Sequence, residues 1–188
     1  MRSTSWGSVQ ARFVALILVF CCGGAAMAGM TIYSGDTTGG PTWNRPAGTS
    51  SLSGVGTAVP YETQAFSVSS SGHYTVTSVY DACAGYDGYL HLYAGCFDPQ
   101  DQFTNLMAGD DDFITIYSAQ VAGVYLTGGT SYVIVNSGFA NSDFGAYTTT
   151  ICGCGDIQLG GPCTTVPAPG ALGLVAVGCL SMLRRRRR

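Results

Sequence analysis

Beyond Pro60 the apolar and polar positions alternate. Tyr74, Val76, Ser78 and Tyr80 share one parity and Thr75, Thr77 and Val79 the other, Leu90 and Leu92 alternate with Tyr89, His91 and Tyr93, and Tyr132, Val133, Ile134 and Val135 form a β-branched and aromatic run. A period of two puts successive side chains on opposite faces of a strand. Turn-forming residues at 69–72, 94–95, 128–129 and 136–138 divide these runs at short intervals. Strands are expected near 63–69, 73–80, 87–93, 104–108, 114–118, 121–127, 131–136 and 145–152. No window outside the two termini carries a helical stripe. The expected fold is all-β: an antiparallel, jelly-roll-like β-sandwich of about eight strands.

The flanks have a different character. Residues 29–60 are rich in Gly, Ser, Thr and Pro and read as an extended arm over the core of a domain at 61–153, which a Cys/Gly linker at 154–165 follows. At the N-terminus, Arg2 and Arg12 precede an apolar run over 13–22 and the small residues Ala26, Met27 and Ala28. That is the pattern of a secretory signal helix over 1–28, with cleavage after Ala28 by signal peptidase. A lipoprotein reading through Cys21 is disfavoured because bulky Phe20 precedes the cysteine. At the C-terminus Val166, Pro167, Ala168 and Pro169 lead into an uncharged run over 170–183 and then five arginines. As a helix that run spans roughly 21 Å, short of the roughly 30 Å hydrocarbon core, so a one-helix transmembrane anchor is marginal. The arginines would stay on the cytoplasmic side and leave the domain outside.

The Pro-Ala-Pro motif (Pro167, Ala168, Pro169), the apolar helix and the terminal arginine cluster together resemble the PEP-CTERM sorting signal, over 166–188. The family's usual Glu is replaced here by Ala168. The resemblance implies an inner-membrane intermediate, processing near the motif by an exosortase-like enzyme, and delivery to the cell surface or exopolysaccharide matrix. The alternative is a simple tail-anchored protein.

Charge narrows the function further. All eight basic residues are arginines, and without the ends Arg45 stands alone against eleven carboxylates, a net charge of −10. Such a domain has no cationic footprint for nucleic acid. Five cysteines remain between the ends: Cys83, Cys96, Cys152, Cys154 and Cys163. Cys83 and Cys96 flank an expected strand pair and are the expected disulfide, which would contribute about 3 kcal/mol in the chain-entropy model. Cys163 has either Cys154 or Cys152 as its expected partner. A zinc site from Cys152, Cys154 and Cys163 lacks a fourth ligand.

Across the centre, Tyr86-Asp87-Gly88-Tyr89-Leu90-His91-Leu92-Tyr93, then Asp110-Asp111-Asp112, the segment from Gly128 to Val135, and the segment from Asp143 to Thr148 resemble the bacterial pre-peptidase C-terminal (PPC) domain. That resemblance implies a β-sandwich found alone in surface proteins or beside secreted hydrolases, some members binding calcium or polysaccharide.

Three contiguous carboxylates repel one another, and a hard cation with oxygen ligands relieves the repulsion. Asp110, Asp111 and Asp112, joined by Asp87, are therefore the candidate Ca²⁺ ligands. The loop does not follow the EF-hand pattern. Tyr89 and Tyr93 are the candidate rings for stacking on a polysaccharide, against the alternative of cross-strand packing. His73 and His91 are the only histidines, and neither a G-x-S-x-G elbow nor an H-E-x-x-H helix is present. The expectation is a non-enzymatic exported surface or matrix protein, the alternatives being a carbohydrate-binding module or an accessory domain of a secreted hydrolase.

Overall fold

A computed structural model describes residues 29–162. The expected signal helix and its Ala28 cleavage point, Cys163, and the Pro167, Ala168 and Pro169 motif with its transmembrane helix lie outside the described residues. Among the described residues there is no helix, and twelve strands follow one another: β1 Gly29–Asp36, β2 Thr42–Trp43, β3 Pro46–Ala47, β4 Ser51–Leu52, β5 Val59–Val68, β6 Gly72–Tyr80, β7 Gly88–Ala94, β8 Leu106–Asp110, β9 Ser118–Leu126, β10 Ser131–Gly138, β11 Ala146–Gly153 and β12 Ile157–Leu159.

The longer strands form two antiparallel sheets. One has the order β1-β11-β6-β9, and the other β12-β5-β10-β7-β8, with β2 also paired to β5. Their inner faces meet in one core. Phe66, Tyr74, Val76, Leu90, Leu92, Val121, Leu126, Ile134 and Ile151 are all buried there. The sheets come together along their edges, β9 against β7 and β8, and β1 against β12. The molecule is thus an all-β sandwich, closed toward a half-barrel.

The alternation that located β7 also explains why it is buried on both faces. Leu90 and Leu92 enter the inner core, while Tyr89, His91 and Tyr93 face outward and are covered. The cover is the segment after β1. Trp43 packs with Val59, Tyr93, Val133 and Val135 into a second apolar cluster on the outer face of the six-stranded sheet. Its rings meet edge to face, Trp43 against His91 at 5.2 Å and against Phe97 at 5.1 Å.

Several strand expectations change. The segment 114–118 alternates Ile, Thr, Ile and Tyr, yet it is a turn with Ile114 at φ 69° and its side chain 84% exposed. Positive φ at a non-glycine residue takes the backbone out of the extended conformation whatever the side-chain pattern. The first stretch of the 29–60 segment is a full edge strand: β1 pairs with β11 through eight consecutive residues, from Gly29 opposite Gly153 to Asp36 opposite Ala146.

The cysteine pairing also differs. Cys83 and Cys154 carry free thiols, and Cys96 and Cys152 are each engaged in a disulfide. The expected pairs Cys83–Cys96 and Cys154–Cys163 are therefore not formed. Cys83 lies exposed in the turn where the Asp81 carboxylate accepts from Cys83 N–H at 2.9 Å, and Cys154 Sγ contacts the His73 carbonyl at 3.5 Å.

Candidate functional site

The chemistry gathers at one end of the β7–β8 pair. These strands are antiparallel with Leu90 opposite Asp110, so the residues entering β7 lie beside those leaving β8. That register sets Asp87, ahead of β7, next to Asp111 and Asp112, just past β8. Carboxylate oxygens of Asp87, Asp111 and Asp112 lie within 4.8 Å of one another. Of the four carboxylates singled out from the sequence, the fold brings these three together. Asp110 goes elsewhere: it shares the inner-face parity of Leu90 and accepts a hydrogen bond from Gln120 N–H of β9 at 2.7 Å.

Asp87 Oδ1 and Asp111 Oδ1 are shielded from solvent and have no hydrogen-bond partner. Burial is the first cause that pushes the Asp87 carboxyl up to about 6, with the Asp143 and Asp112 charges adding to it and Arg45 opposing it. Asp111 is likewise raised to about 6 by burial and then by Asp112, again against Arg45. An unpaired buried carboxylate oxygen is costly, and the cost is relieved by a proton or a cation.

Arg45 is the site element that the sequence reading left aside. Its side chain is 1% exposed. The guanidinium sits 4.0 Å above the Tyr89 ring and 5.0 Å from that of Phe139. It donates to the Phe139 carbonyl from Nη2 at 2.7 Å and from Nε at 3.0 Å, and to the Pro46 carbonyl from Nη1 at 3.0 Å. Burial lowers its pKa, and the charges of Asp111, Asp87 and Asp143 counter that. A lone arginine inside an Asn-Arg-Pro turn of an acidic domain was the available signal, and only the fold shows the turn lying over β7.

Tyr89 and Tyr93 do not form a stacking platform. Tyr89 is 6% exposed and Tyr93 fully buried, because the covering segment lies over both. One Tyr89 face takes Arg45 and the ring also stacks on His91 at 4.5 Å, while its hydroxyl accepts from Gly48 N–H at 3.1 Å. The Tyr93 hydroxyl donates to the Gln102 carbonyl at 2.7 Å.

His91 is a packing residue of the same layer. Its Nε2 faces the Pro46 carbonyl at 3.2 Å and so carries the proton, which leaves buried Nδ1 without a partner. Burial, opposed by that hydrogen bond and reinforced by Arg45, pushes its pKa down to about 3. The second histidine, His73, is exposed at the far side, with Nδ1 at 2.8 Å from the Gly123 carbonyl.

The spacing of these oxygens is compatible with a single hard cation. Oxygens bound to a single Ca²⁺ at about 2.3–2.6 Å are at most about 5 Å apart, which the 4.8 Å cluster satisfies. The three carboxylates would exceed the charge of one divalent ion by one, and Arg45 offsets that excess.

No protein-family model matches the chain, and no curated protein matches it in sequence. Among solved structures it is similar to a chain of the naturally occurring empty particles (top component) of cowpea mosaic virus, at 14% identity and TM-score 0.27, covering 78% of this chain and 85% of that one. A likeness of that size carries no argument here. What is established is the class, an antiparallel all-β sandwich.

Proposed function

We propose that this chain is a non-enzymatic exported protein of the cell surface or extracellular matrix, a jelly-roll-like sandwich carried out by its N-terminal signal and sorted through its C-terminal tail by an exosortase-like enzyme. The observation that carries the reading is that Cys96 and Cys152 are each engaged in a disulfide, since structural disulfides belong to oxidising compartments outside the cytosol. Intact mass and thiol alkylation of the protein recovered from an expressing Gram-negative host test it. The expected product begins at Gly29, lacks the chain beyond the Pro167–Pro169 motif, and labels at Cys96 and Cys152 only after reduction. A full-length cytosolic product with reduced thiols would overturn it.

A second reading concerns the ligand of that exported domain, and the convergence of Asp87, Asp111 and Asp112 favours it: the cluster takes Ca²⁺ from a milieu where that ion is plentiful. Calorimetric titration with CaCl₂ is expected to show binding that Asp111→Asn removes. No heat at millimolar ion would overturn this second reading and leave the first standing.

A further inference from the structure

Residues 44–57 form a flap over the outer face of the six-stranded sheet. Its base is the pairing of Thr42 and Trp43 with Pro60 and Val59, which ties both ends of the flap to β5. Bonds of its own hold it together: β3 pairs with β4, Arg45 N–H donates to the Gly56 carbonyl, and Ser53 N–H donates to the Arg45 carbonyl. A different set fastens it to the sheets. Gly48 N–H donates to the Tyr89 hydroxyl at 3.1 Å, Arg45 donates to the Phe139 carbonyl, Asn141 Nδ2 donates to the Thr57 hydroxyl at 3.1 Å, and the His91 ring sits beneath Pro46.

His91 is the fastening that acid changes. The ring is fully buried, stacked on Tyr89 and edge to face with Trp43. Nε2 donates to the Pro46 carbonyl of the flap, so a further proton enters at Nδ1, where no acceptor waits for it. The elements packed around the ring supply no anion. Its register partners are Gly109 of β8 and Val135 of β10, its own strand offers Tyr89 and Tyr93 on the same face, and the flap contributes the Arg45 cation. The charges of Asp87, Asp111 and Asp143 act on Arg45, and Arg45 is the charged group that acts on His91. A buried imidazolium there has neither counter-ion nor acceptor, which is the costly case.

We propose that the flap is an acid-released cover: protonation of His91 lifts residues 44–57 off β7 and bares Tyr89 and His91 while both sheets stay folded. The flap moves about the β2–β5 pairing because its internal bonds are separate from its fastenings. Tyr93 stays covered, since Trp43 at the base and Phe97 pack on it. In the lifted state the ring meets water and takes its ordinary pKa of 6.5, against about 3 beneath the flap. Opening therefore binds a proton, and the open fraction grows about tenfold from pH 5 to pH 4. This inference stands apart from the sorting and cation readings.

Hydroxyl-radical footprinting of the full chain, read by mass spectrometry at pH 7, 5 and 4, tests it. The expected result is a rise of about tenfold in Tyr89 labelling from pH 5 to pH 4, with Phe66 and Tyr80 of the inner core still protected. In His91→Gln, Tyr89 labelling is expected to be the same at pH 5 and pH 4. Tyr89, Phe66 and Tyr80 rising together would mean global unfolding and overturns the proposal, as does Tyr89 labelling that ignores pH. A rise in His91→Gln equal to that of the parent also overturns it and assigns the effect to Asp87 and Asp111, which titrate in the same range. Circular dichroism confirms that the variant is folded, and the comparison of residues within the parent stands without it.

Discussion

His91 and the carboxylate pair impose opposite pH slopes on stability, and substitution separates them. His91 is fully buried with its pKa pushed down to about 3, against an ordinary value of 6.5. The unfolded chain gains this proton as pH falls below 6.5 while the folded chain does not, so the stability contributed by neutral His91 is complete above 6.5 and is lost on acidification toward 3. Between pH 7 and 5 the loss is about 2 kcal/mol, from a slope that approaches about 1.4 kcal/mol per pH unit. Asp87 and Asp111, raised to about 6, act the other way. Ionisation above 6 penalises the fold, and acidification toward the unfolded value of 3.8 relieves the penalty. Both carboxyls are half-exposed, so the relief is discounted for solvent screening to about 1 kcal/mol each.

The two contributions nearly cancel in the parent protein, whose stability is expected to be almost flat from pH 7 to 5 in the absence of divalent ions. His91→Gln keeps a donor toward the Pro46 carbonyl but cannot titrate, so its stability is expected to rise by about 1–2 kcal/mol over that range. Asp87→Asn with Asp111→Asn removes the opposing contribution, and stability is expected to fall by about 2 kcal/mol. Urea unfolding at pH 7, 6 and 5, followed by tyrosine fluorescence and analysed as two-state, reads all three curves. Parallel curves would refute the reasoning.

Two further expectations rest on packing. A Cβ on Gly109 would stand 2.9 Å from His91 Cδ2 and 3.4 Å from Tyr89 Cε1, so Gly109→Ala should cost about 1–3 kcal/mol by crowding the covered layer, measured as a lower urea midpoint. Leu92→Ala, at a fully buried position of the inner core, should cost about 2–5 kcal/mol, and a loss below 1 kcal/mol in the same assay would contradict the two-layer account of β7.

What the sequence disclosed was set by how locally each feature is encoded. The alternation in Tyr89-Leu90-His91-Leu92-Tyr93 marks a strand by itself, and the Asp110, Asp111 and Asp112 run marks an acidic loop by itself. Which of those acids face Asp87 depends on the register Leu90 opposite Asp110, a pairing that no local window contains. β1 was hidden because Met30, Ile32 and Ser34 alternate within Gly- and Thr-rich surroundings, and its partner β11 lies near the other end of the domain. At 114–118 the local pattern misled, since Ile114 and Ile116 have strand-like side chains on a backbone that turns. The sequence leaves Tyr89 and Tyr93 between stacking on a sugar and cross-strand packing, because a local window does not show whether a strand face is covered. Here the segment carrying Trp43 and Arg45 covers that face, and its packing on β7 is a long-range event.

The covering layer joins the acid-sensitive histidine to the carboxylate cluster, which makes the cation reading testable through pH. Arg45 lies against Tyr89, which stacks on His91, and its charge acts on both Asp87 and Asp111. A bound Ca²⁺ holds the two carboxylates ionised, so the loaded fold no longer gains from protonating them and instead loses the ion as pH falls. At pH 7, calcium at ten times its dissociation constant should add about 1.4 kcal/mol of stability. That increment should shrink toward zero by pH 5, where protons compete for the same oxygens, so the loaded protein falls more steeply than the free one and the two curves converge. Urea midpoints in CaCl₂ and in chelator across this range measure the difference. A calcium increment that is the same at pH 7 and pH 5 would place the ion away from Asp87 and Asp111, because only groups that titrate in this window make the increment depend on pH.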